Sequence, residues 1–136
     1  MKIPFSSLGM AILKGGGLAA VINVAIYYLS ISMGWIDTDL PVSPDGQPLT
    51  VAAMIIASIL PAILGGVIYW LLVRYTKRPN PIFYILSAIV VIAFVFSPFS
   101  IQNVPTSMVV ILEIAHLVVA AAVVYFLVQL NPGTQS

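Results

Sequence analysis

No charged side chain occurs in residues 15–36, 46–73 or 79–112, and Glu113 is the only one after Arg78. Runs of that length, built mostly from Ile, Val, Leu and Ala, leave few architectures open. A soluble chain of 136 residues could not hide them, because small domains keep much of their surface in contact with solvent. Hydrophobic residues make up 61% of the chain and charged ones 7%, against roughly 25% charged in soluble domains. Hydrocarbon therefore has to act as the solvent.

Four stretches, approximately 15–36, 49–73, 82–98 and 106–130, suit helices that cross a bilayer, which takes about 20 residues. Ahead of them, Lys2 and Lys14 bracket Phe5, Leu8, Met10, Ile12 and Leu13, which reads as a short helix lying on the membrane surface. A signal peptide is the competing reading, but no small-x-small cleavage site follows its apolar core. The expected fold is all-α: one domain, a four-helix transmembrane bundle with a short N-terminal interfacial segment. Small residues mark helix contacts. Gly15, Gly16 and Gly17 pair with Ala19 and Ala20, and Ala53, Ala57, Pro61 and Gly65 recur every fourth residue. Pro61 has no N–H to offer the carbonyl of Ala57 and predicts a kink. Pro79-Asn80-Pro81 reads as a turn ahead of the third span.

The basic residues fix the expected topology. Lys2, Lys14, Arg74, Lys77 and Arg78 flank the N-terminus and the second loop, while the first and third loops hold no lysine or arginine. This asymmetry predicts both termini in the cytoplasm and the cell's inner (plasma) membrane as the home. The first loop, with Asp37, Asp39 and Asp45, then faces outward as solvated acids, since their spacing does not match a calcium loop. A net charge of +1 offers nothing to nucleic acid.

Chemistry concentrates in the fourth span. Glu113 and His116 are three residues apart and share a helix face, with His116 roughly 15 Å deep at 1.5 Å per residue. Asn23 in the first span and Ser58 in the second count to a similar depth, so the four form a candidate intramembrane polar cluster. Ionisable groups at that depth are costly unless partnered. Several roles stay open: a structural clamp, a proton relay in a small carrier or channel with Pro61 as hinge, or an axial ligand, His116, for haem or chlorophyll. A di-metal carboxylate site needs a second Glu-x-x-His and two more glutamates, which the chain lacks. There is no cysteine, no phosphate loop and no nucleophile with a base. The sequence thus calls for no catalytic residue, metal or cofactor. The leading expectation is a non-enzymatic accessory or assembly subunit, or a scaffold. Its partners would be membrane lipids, other membrane subunits or a second copy.

Gly17–Asn23, Pro61, Arg74–Pro79, Ser97-Pro98 and Ala115-His116-Leu117-Val118 together carry a likeness. In these features the chain resembles a family of uncharacterised small bacterial four-helix membrane proteins. The resemblance implies a fold and a membrane home, and no reaction. Small multidrug exporters fit less well, because their key glutamate lies in the first span. Quinone-linked thiol oxidoreductases require cysteines.

Overall fold

The computed structural model describes residues 3–41, 46–96 and 105–131. They form four helices, α1 (Phe5–Ser32), α2 (Val51–Tyr75), α3 (Pro79–Phe96) and α4 (Thr106–Val128). Each is long and apolar enough to cross a membrane. The protein is a multi-pass four-helix membrane protein. Consecutive helices run in opposite directions, so the start of α1, the α2–α3 turn and the end of α4 share one end of the bundle. Arg74, Lys77 and Arg78 lie there too, and we call it the basic end.

The N-terminal segment differs from the expectation. Residues 5–14 are not a separate surface helix but the first turns of α1, which runs for 28 residues without a break through Gly15-Gly16-Gly17. Glycine weakens a helix in water by about 1 kcal/mol each. Here close packing holds the glycine turn in place: Gly15 and Gly16 are buried against α4 and α2. Lys14 therefore sits inside a helix, exposed, where its long stem can carry the ammonium toward the basic end. At the other end α1 closes in a Schellman motif. Gly34, at φ +73°, donates to Ile31, and Trp35 donates to the Ser30 carbonyl at 2.8 Å.

Thr50 caps α2 by accepting from the Ala53 amide at 3.1 Å. The helix continues through Pro61 to Tyr75. Its buried line is Met54, Ser58, Ala62, Gly66, Tyr69 and Val73, one position round from the expected stripe; Ala53 and Ala57 are exposed. Both prolines of Pro79-Asn80-Pro81 belong to the first turn of α3 rather than to a preceding turn. First-turn amides have no intrahelical partner, so proline costs nothing there. Ser97-Pro98, Gln102, Asn103, Asp45 and Lys2 lie outside the described residues.

α1 packs on both α2 and α4 and forms the centre of the bundle; α3 is applied to the outside. It buries only Pro79, Asn80 and Phe83, all near its start. The rest of α3 has no fully buried side chain, and Ile85, Ile89, Ile92 and Phe96 are exposed.

Candidate functional site

The polar residues separate into three groups. The first is a clamp in the half of the bundle away from the basic end. Asn23 Nδ2 donates to Ser58 Oγ at 3.0 Å and to the Ala115 carbonyl at 3.3 Å, and Ser58 Oγ donates to the Met54 carbonyl at 2.8 Å. A carbonyl can only accept, so the amide nitrogen, not the oxygen, must face α4. One asparagine thus joins α1, α2 and α4, and both Asn23 and Ser58 are fully buried. Counted from the helix ends nearest that half, Asn23, Ser58 and Ala115 are all about 10–14 Å in. Interhelical bonds of this kind contribute roughly 0.6 and at most about 1.7 kcal/mol. Asn23→Ala should lower unfolding stability by about 1–2 kcal/mol in thermal or denaturant titration. Ser58→Ala should cost less, because Asn23 keeps Ala115. Equal losses would mean that the amide does not span three helices.

The second group is Glu113 with His116, which the clamp does not include. Neither makes a hydrogen bond to Asn23 or Ser58, and no ion pair joins them to each other among the described residues. Glu113 Oε1 and His116 Nδ1 are shielded and without a hydrogen-bond partner among those residues. The imidazole instead stacks on Phe94 of α3, with ring centroids 5.2 Å apart and planes 25° from parallel. The pair therefore lies on the side of α4 turned to α3, away from the α1–α2–α4 core. No group of three or more His, Cys, Asp or Glu able to hold a metal occurs among the described residues.

The third group, at the basic end, was not anticipated. Tyr69 Oη donates to Asn80 Oδ1 at 2.5 Å. Asn80 Nδ2 donates to the Asn131 carbonyl at 3.0 Å and the Val128 carbonyl at 3.4 Å. Phe83 meets the Tyr69 ring edge-on, with centroids 5.1 Å apart. This foot attaches α3 to α2 and to the end of α4. The available signal was an amide in the first turn of an apolar helix, but its flanking prolines made it look like a turn. Nearby, the Arg74 guanidinium lies over the rings of Trp70 and Tyr75, at 5.3 and 5.7 Å from their centroids. Lys77 and Arg78 are exposed in the turn.

Residues 6–132 match the model of a family of unknown function, DUF6069. The chain belongs to this family. The match runs from the first turn of α1 to just past the end of α4, so the whole bundle is the DUF6069 unit. The expected likeness to an uncharacterised family of small helical proteins is met. No curated protein and no solved structure matches the chain. A DUF6069 assignment carries no reaction, and the chemistry rests on the residues described above.

Proposed function

We propose that the protein is a non-enzymatic accessory or assembly subunit of a membrane complex, held in the plasma membrane with its basic end in the cytoplasm. The observation that carries this reading is the state of Glu113 and His116. Among the described residues, Glu113 Oε1 and His116 Nδ1 lie within a membrane span with no hydrogen-bond partner, as does Asn23 Oδ1 in the core, but only the first two belong to ionisable side chains. Water is absent from the bilayer core, and an unsatisfied group there costs several kcal/mol. Those two atoms are enclosed by the bundle, so a helix from another subunit, laid along the lightly packed half of α3 and α4, would meet the outer polar atoms of the same side chains, Glu113 Oε2 and His116 Nε2, which are not enclosed. The exposed row of Ile85, Ile89, Ile92 and Phe96 gives that helix an apolar surface to meet.

The same two groups support a second reading, a proton-coupled carrier in which they titrate. The bundle interior favours the subunit. Ala19 and Ala62 are buried almost completely, Gly16 closes on Ala62, and the pair opens sideways rather than along the bundle axis. A haem or chlorophyll role for His116 gains no observation beyond the histidine itself.

Gentle extraction followed by native mass spectrometry tests the proposal. The native protein should emerge with a stoichiometric protein partner, either another chain or a second copy. The Glu113→Leu/His116→Leu variant should lose that partner while keeping its helix content. Extraction of the native protein as a lone monomer, or pH-driven flux in liposomes abolished by Glu113→Gln, would reject the subunit in favour of the carrier or neither.

A further inference from the structure

α3 and α4 touch at the foot and again where Phe94 meets His116, and between these contacts they leave a slot of about 630 Å³. Its floor is built from small and β-branched residues, Ala88 and Val91 of α3 with Ala120 and Val124 of α4. Its mouth, toward the basic end, carries the polar groups of Tyr84, Tyr125 and Gln129. From mouth to floor the slot runs about 10–14 Å along the helices, at 1.5 Å per residue. It is thus an open groove between the two helices, mostly apolar along its length and flanked by tyrosines toward the basic end, at the height of the membrane interface where tyrosine is favoured.

The charges above it are all of one sign. Asn80 binds the carbonyls of Val128 and Asn131, which brings the start of α3 against the end of α4. Lys77 and Arg78 immediately precede that start and are exposed. The described acids are elsewhere: Asp37 and Asp39 are in the loop at the opposite end, and Glu113 is in the far half of α4. A cationic rim over an apolar slot complements an anion attached to a hydrocarbon chain.

We propose that the slot seats an acyl chain of an anionic phospholipid, with Lys77 and Arg78 holding its phosphate and Tyr84 and Tyr125 meeting its glycerol region. Basic pockets between transmembrane helices bind anionic headgroups in this way. The slot begins one turn of α4 beyond His116 on the side of the basic end, and the cations that would hold the phosphate lie at that end, away from Glu113 and His116.

The test uses the full chain in vesicles of phosphatidylcholine alone and in an equal mixture with phosphatidylglycerol, followed by native mass spectrometry of bound lipid. Phosphatidylglycerol should be retained in preference, with one molecule per chain. Lys77→Gln/Arg78→Gln, an exposed change that leaves the helices intact, should reduce that preference on the order of tenfold. Ala120→Phe should expel lipid of either headgroup by filling the floor. Equal retention of both lipids, no retained lipid, a preference indifferent to the two cations, or a second copy of the chain held in place of lipid would each overturn the proposal.

Discussion

Gly16→Leu is expected to prevent α1 from seating on α2 and to be the most damaging single change in the bundle. A Cβ at position 16 would stand 2.9 Å from the Ala62 Cβ and 3.5 Å from the Ile59 Cα. Neither atom can swing away, since one is fixed to its backbone and the other belongs to it. Gly16→Ala would gain up to about 1 kcal/mol of helix propensity and lose about 1–3 kcal/mol to overpacking. The alanine variant should therefore be mildly destabilised. Leucine adds three more carbons in the same direction and forces the helix axes apart. In a bilayer this separation matters more than in water, because van der Waals contact, not exclusion of water, drives helix association. A loss above about 3 kcal/mol follows, with the clamp at Asn23 broken as a consequence. Gly17 provides the internal control. It is the next residue, and a Cβ there meets nothing within 4 Å. Gly17→Leu should be tolerated. Gly66 is intermediate, because the atoms in its way are the flexible end of Ile12. Unfolding titrations in mild detergent should give the order Gly16→Leu, then Gly66→Leu, then Gly17→Leu. Equal damage at positions 16 and 17 would show that glycine serves the helix itself and not its contact.

That contrast also shows what the amino-acid order could and could not convey. The four spans were readable because hydrocarbon demands long uncharged runs, and nothing else in the chain competes with that demand. Helix faces were not readable. When almost every residue is apolar there is no amphipathic signal, so the choice between Ala53-Ala57-Pro61 and Met54-Ser58-Ala62 as the buried line of α2 rested on size alone. The beginning of α1 was missed for a related reason. Three glycines and a lysine mark a helix boundary in water, whereas here Gly15 and Gly16 are the contact and Lys14 is exposed on the helix surface. Depth counting put Asn23 and Ser58 at one level, and the hydrogen bond between them shows that they share it. It also gave the depth of Glu113 and His116, but depth says nothing about azimuth, and the pair faces α3 instead of the clamp. Asn80 was concealed by its prolines, which look like turn residues until the first turn of a helix is known to accept them.

Asn80→Ala should release α3, with the second largest loss expected, about 2–5 kcal/mol. The residue is fully buried and satisfies three polar groups at once, one on α2 and two at the end of α4. The Val128 carbonyl keeps the Asn131 amide, 3.3 Å away, so the truncation strands chiefly the Tyr69 hydroxyl. Each buried group left alone costs about 1–3 kcal/mol, and the space vacated by the side chain adds to this. Tyr69→Phe should cost less, since it strands only one oxygen of Asn80. The double variant should be less destabilised than the sum of the two, by about 1 kcal/mol or more, because each single change already breaks the bond they share. The consequence is specific to α3, whose buried residues are Pro79, Asn80 and Phe83 and no others. Cleavage by trypsin after Lys77 should therefore accelerate in Asn80→Ala at temperatures where the contacts among α1, α2 and α4 persist. In the Asn23→Ala variant, which weakens the core but leaves the foot intact, the turn should stay protected until the bundle unfolds as a whole. Additive losses at Tyr69 and Asn80, or equal protection of the turn in both variants, would mean that α3 is held along its length instead of at its foot.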